Sequence, residues 1–157
     1  MVDYGTTDRC TGGTPTASNS SVSYPPANAF DNNNTTFWFY HAAGQWIQYD
    51  FGSGVSWRIG KVVIRGYIDS GDGVKIKDFI IQGSNNGSDW TTLHTATHPN
   101  NENDIEYTFV NTTPYRYIRI DIDDDASGYY GTNARSAIRE ISMYEILDTF
   151  IPQIIIF

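Results

Sequence analysis

Cysteine is nearly missing: Cys10 is the only one in 157 residues, so no disulfide can form within the chain. An oxidising compartment is allowed but not indicated. Positive charge is scarce. Ten Lys and Arg stand against 18 Asp and Glu, for a net charge of −8 and a sequence pI of about 4.6. That balance argues against a phosphate-backbone partner, which needs clustered basic residues, and against an anionic membrane surface. No apolar run approaches the roughly 20 residues that span a bilayer. The opening "MVDYGTTDRC" lacks the apolar core of a signal peptide. No stretch keeps apolar residues at i, i+3, i+4 and i+7 over three turns, so amphipathic helices have no candidate. Catalytic signatures are absent too: there is no HExxH, no supported Ser-His-Asp order and no phosphate-cradling glycine loop. Carboxylates are plentiful, yet nothing pairs them at glycosidase spacing. A protein without catalysis is expected, with neutral sugars, cations and basic proteins left as partner classes.

What is present favours strands. Aromatics reach 15%, with 11 Tyr, 8 Phe and 4 Trp. The length suits one domain with its own core. Residues 1–26 are rich in Gly, Ser, Thr and Pro and read as an irregular lead-in, with Cys10 in a loosely packed region. Strand candidates follow at 45–52, 58–68, 77–84, 89–96, 104–110, 115–122 and 137–146. Residues 45–52 alternate Ile47, Tyr49 and Phe51 against Trp46, Gln48 and Asp50. Asn86-Gly87 signals a hairpin between two of the strands. Such spacing implies an all-β sandwich or barrel. The tail 147–157, "LDTFIPQIIIF", is more apolar than a solvated terminus. It reads as an extra strand, a boundary of a longer chain, or an inter-chain contact.

The stretch "ANAFDNNNTTFWFYHAAGQW" places Asp31, Asn33 and Thr36 among oxygen-bearing neighbours, just before Trp38. Two readings stand side by side. Asn and Asp hydrogen-bond their own backbone, so this is a solvated turn; or it gathers the six to eight oxygens that calcium takes. Trp38 reads as core. Three further loops combine aromatics and polar groups in a way that suits a sugar. They are 39–44 with Tyr40 and His41, 67–75 with Asp69 and Asp72, and 123–136 with Tyr129, Tyr130, Asn133 and Arg135. The two tyrosines lie between glycines and are expected to project outward. Asp123, Asp124 and Asp125 read as a solvated acidic run or a second cation site.

Six ordered patches resemble the discoidin-like domains of the coagulation factor V/VIII C-type family. They are "PPANAFDNNNTTFW", "GQWIQYDFGS", "IGKVVIRGY", "IKDFIIQGSNNGSDWTTL", "TTPYRYIRIDI" and "IREISMYEI". The chain is most similar to the family 32 carbohydrate-binding modules. The resemblance implies an eight-stranded antiparallel jelly-roll β-sandwich, a single domain over 1–146. It implies a structural calcium site too: Asn28 and Arg139 through carbonyls, Asp31 and Glu140 through carboxylates, Asn33 through a carbonyl or amide oxygen, Thr36 through hydroxyl and carbonyl. The family's Gly after the Asp is replaced by Asn32, which tolerates a left-handed backbone. In the family's topology the three loops gather at one end. Galactose-binding members use an arginine in the second loop, and this chain has none there, so galactose specificity does not carry over. The expected function is a non-catalytic, calcium-stabilised, lectin-like module. It would be extracellular or surface-exposed and tether a larger assembly to glycans. The alternative is a structural or adhesion domain that binds protein or packs into an assembly through the tail.

Overall fold

The computed structural model describes residues 2–123 and 128–147. Ten strands occur among them: β1 Asp3–Tyr4, β2 Thr14–Ala17, β3 Trp38–Tyr40, β4 Trp46–Asp50, β5 Ile59–Gly66, β6 Asp78–Ser84, β7 Thr91–Thr97, β8 Asp104–Thr108, β9 Tyr117–Ile122 and β10 Ser136–Leu147. A short 3-10 helix spans Pro26–Ala29. One sheet runs β1-β10-β5-β8, with β3 also on β10, and the other runs β2-β4-β9-β6-β7. The pairings are antiparallel. All seven sequence-predicted strands are present, and the architecture is the expected antiparallel β-sandwich. Set aside the two shortest, β1 and β3, and eight of the ten strands remain. The lead-in is less irregular than expected. It contributes β1 and β2, whose sequences "DY" and "TPTA" are too short and polar to signal strands.

Alternation builds the core. Ile47 and Tyr49 of β4, Ile118, Ile120 and Ile122 of β9 and Phe79 and Ile81 of β6 meet Val62, Ile64, Ile138, Ile141 and Met143 from the facing sheet. Each fully buried isoleucine contributes roughly 1.5–3 kcal/mol. Trp38 is 0% exposed and donates from its indole to the Asn19 carbonyl at 3.0 Å, which pins the lead-in to the core. Cys10, expected in loose packing, is instead buried, and burial pushes its thiol up in pKa. The β6–β7 hairpin closes through side chains. Ser84 Oγ accepts from Gly87 N at 2.9 Å, Asn86 Oδ1 accepts from Ser88 N and Asp89 N, and Gly87 takes φ 74°.

Strand directions decide where the loops go. β5 ends, β10 begins, β9 ends and β4 begins at one edge of the sandwich. Loops 41–45, 67–77, 98–103 and the described parts of 123–135 therefore share that end. β10 carries a bulge between Ile138 and Glu140, so Arg139 is the extra residue, outside the ladder.

Candidate functional site

A hollow of about 370 Å³ opens at the loop end, lined by Tyr24, Phe37, Phe39, His41, Tyr67, Asp69, Ser70 and Arg135. Aromatic rings build it. Phe37 stacks on Tyr67 at 3.9 Å and 14°, and on Tyr24 at 4.5 Å and 16°. Phe39 stands nearly perpendicular beneath, with centroids 6.3 Å from Phe37 and 6.4 Å from Tyr67. His41 meets Phe39 edge-on at 4.7 Å. The polar groups converge on this aromatic base. Asp69 forms an ion pair with Arg135, whose guanidinium carbon lies 5.7 Å from the Phe39 ring. The turn that presents Asp69 is closed by Asp72 N donating to Asp69 O at 2.8 Å. Below the stack, Arg139 lies 5.1 Å from Tyr67. It donates to Glu102 at 2.8 Å and to the Asn34 carbonyl at 2.9 Å.

Of the residues expected to contact a ligand, His41 and Asp69 line this hollow and the others do not. Tyr40 follows the strand's own rule: neighbours point to opposite faces, so Phe37, Phe39 and His41 share a side that Tyr40 cannot. Asp72 is saturated. It accepts from Lys75 Nζ at 2.7 Å, Thr132 Oγ1 at 3.0 Å, and Asn133 N and Nδ2 at 3.0 and 2.7 Å. The Lys75 contact first, and then these donors, hold its carboxyl well below the usual carboxylate range. Asn133 is thereby committed to the loop. Tyr130 does not project outward. Its hydroxyl donates to the His98 carbonyl at 2.8 Å and its ring packs on the core. Gly73, at φ 94°, leaves room for it: a Cβ there would sit 2.7 Å from the Tyr130 Cβ. Tyr129 lies 5.6 Å from the Lys75 ammonium instead. Lys75 organises all of this. It is 0% exposed, and its Nζ also donates to the carbonyls of Tyr130 and Asn133 at 3.0 and 3.3 Å. Asp124 and Asp125 lie outside the described residues.

Sequence reasoning missed Tyr24, Phe37, Phe39 and Tyr67, and named Arg135 with the third loop without singling it out as a ligand contact. A signal was available in "FWFYH", whose period of two groups Phe37, Phe39 and His41. Arg135 supplies from the third loop the cation that the second loop lacks.

The oxygen-rich loop lies to the side. Thr36 Oγ1 is 2.8 Å from Asp31 Oδ2, 2.8 Å from the Asn33 carbonyl and 3.5 Å from the Asn28 carbonyl. Asn33 Oδ1 accepts from Thr35 N at 3.0 Å. Asn32 takes φ 56°, the left-handed conformation expected of the residue in the glycine's place. Across the loop, Glu140 is buried, and neither carboxylate oxygen makes a well-formed hydrogen bond, the nearby Ile141 and Asn33 N–H groups only tempering its rise in pKa. Burial first, and the nearby Asp31 charge second, push it up to about 7. No group of three or more His, Cys, Asp and Glu able to hold a metal occurs among the described residues. A cation here would rest on two carboxylates plus carbonyl, amide and hydroxyl oxygens. That all-oxygen set, with an orphaned buried carboxylate, fits calcium. The bulge at Arg139 takes that residue's backbone out of the ladder.

Fold and loops together define a β-sandwich that carries its site at one end. Residues 14–141 match the F5/8 type C domain, and the chain belongs to that family. No curated protein matches the chain. Among solved structures, it is similar to the family 32 carbohydrate-binding module of AlyQ in complex with 4,5-unsaturated mannuronic acid. The identity is 26% over 83% of this chain and 92% of that one, with a TM-score of 0.64. A pectin-binding module is likewise 26% identical over 83% and 88%, with a TM-score of 0.64. The family 32 module of NanJ from C. perfringens, in complex with galactose, shares the fold. Its TM-score is 0.71 at 19% identity over 92% of this chain and 100% of that one.

Proposed function

We propose that this domain is a calcium-stabilised carbohydrate-binding module without catalytic activity, which tethers a secreted or surface assembly to glycans. The aromatic hollow carries the reading. A sugar ring presents an apolar face to aromatic groups and hydroxyls to forked polar groups, and Phe39, Tyr67, His41, Asp69 and Arg135 supply both kinds. The relatives with solved sugar complexes support the same class of ligand. Calcium would be held by Asp31, Glu140, Asn33, Thr36 and the carbonyls of Asn28 and Arg139. When bound it supplies charge balance to Glu140 and pins the loop to β10, stabilising the folded state by linkage. Among the described residues no helix is long and apolar enough to cross a bilayer.

A glycan-array screen in calcium, repeated in chelator and with His41→Ala and Arg135→Ala, tests it. Binding to a defined sugar family, reduced at least about tenfold in both variants, is expected. A folded, calcium-loaded domain that binds no glycan would overturn the sugar reading and favour an adhesion role.

A further inference from the structure

Two of the large apolar side chains exposed among the described residues share one turn, and Tyr24 of that turn lines the hollow. Val22 is 100% exposed and Tyr24 38%. Both belong to a tight turn, bridged Ser21 to Tyr24 and closed by Tyr24 N donating to Ser21 O at 3.0 Å. The turn is tied to β3: Ser21 N donates to Phe39 O at 2.9 Å, and Phe39 N to Tyr24 O at 3.3 Å. Pro25 and Pro26 follow and stiffen the exit. Tyr24 is therefore a fixed ring on a fixed turn.

Its orientation matters. Tyr67 and Tyr24 each stack nearly parallel on Phe37, at 3.9 and 4.5 Å, so they occupy opposite faces of that ring. Tyr24 is the outer ring of a three-ring pile. One face rests on Phe37, an edge meets Phe39 at 5.9 Å, and the other face is left to solvent. From this we infer that Tyr24 forms a second sugar subsite, so that the ligand is an oligosaccharide rather than a single terminal residue. One sugar occupies the His41–Asp69–Arg135 hollow. The next lays its apolar face on the open side of Tyr24. The ring is already immobilised by the pile and the turn, so little ordering is left to oppose binding. The inference rests on the sugar reading of the hollow.

Paired titrations test it, using galactose against GalNAc-β-1,3-galactose, galacturonic acid against trigalacturonic acid, and glucosamine against chitotriose. In at least one pair the native domain should bind the oligosaccharide about tenfold tighter than its monosaccharide. Tyr24→Leu keeps an apolar group on Phe37 but removes the flat face, and should bring that ratio to about one. Tyr24→Trp should keep or raise it. Thermal melts of both variants, unchanged from the native domain, tie the result to the ring face. A native ratio near one, or a ratio that survives Tyr24→Leu, overturns the subsite and leaves the sugar reading standing. No binding of any pair overturns both.

Discussion

Two acidic loops look alike on paper and differ in the fold. Asp31 lies among Asn and Thr, and Asp72 among Gly and Ser. Asp72 collects an ammonium, amide N–H groups and a hydroxyl, and Lys75 beside it is buried with every donor engaged. That cluster is complete. The Asp31 loop faces Glu140, a buried carboxylate without a well-formed hydrogen bond. A buried polar group costs free energy unless it is paired. The complete cluster therefore builds the scaffold, and the incomplete one is where the proposed calcium would act.

The largest way to break this contrast is to make the complete cluster incomplete. Lys75→Met leaves three carbonyl acceptors and Asp72 without their cation. It should cost about 3–5 kcal/mol in urea unfolding. A loss under about 1 kcal/mol would mean that the loop repacks readily.

The converse experiment relieves the incomplete cluster. Glu140 is held up to about 7 when folded, against 4.5 as a free side chain. Its contribution is full below pH 4.5 and is lost as pH rises through 7. In chelator, Glu140→Gln should be more stable than the native domain by about 2–3 kcal/mol at pH 8, and nearly equal at pH 4.5. With calcium the order should reverse. Calorimetry in both buffers reads the sign directly.

His98 sharpens the comparison from the acid side. It lies under the complete cluster, buried, with Nδ1 2.8 Å from the Tyr107 hydroxyl, and burial lowers it to about 4 from 6.5. A depressed histidine contributes stability above pH 6.5 that is lost as pH falls toward 4. Its share, read as the difference between the native domain and His98→Gln in the same buffer, should fall by about 2 kcal/mol between pH 7 and pH 5, opposite in sign to that of Glu140. The smallest effect is expected for Thr36→Val, which removes the hydroxyl shared by Asp31 and Asn33. It should cost about 1 kcal/mol in chelator and weaken calcium binding in a competition titration.

Much of the fold was legible because alternation is a local signal. Ile118, Ile120 and Ile122 announce their shared face within six residues. β3 was not announced, since its three residues show a period of two only when Phe37 and His41 on either side are read with them. The turn geometry at Asp31, Asn32 and Asn33 was legible by composition and resemblance together. The hollow was only half legible. His41 and Asp69 carry polar groups in loops, but Tyr24, Phe37, Tyr67 and Arg135 come from distant segments and meet through topology alone. Tyr130 misled because Lys75, between Val74 and Ile76, holds that loop inward. A lysine between apolar residues gives no sign in sequence that it is buried.

The pairing of β1 with the far end of β10 has a consequence for how such a domain can be mounted. Asp3 lies opposite Leu147, about 5 Å away across one strand spacing, at the end remote from the hollow. Polypeptide joined at both points would enter and leave through a single doorway. The domain could then be spliced into a host loop at small entropic cost and still hold its loop-end hollow outward, like a hand on a narrow wrist.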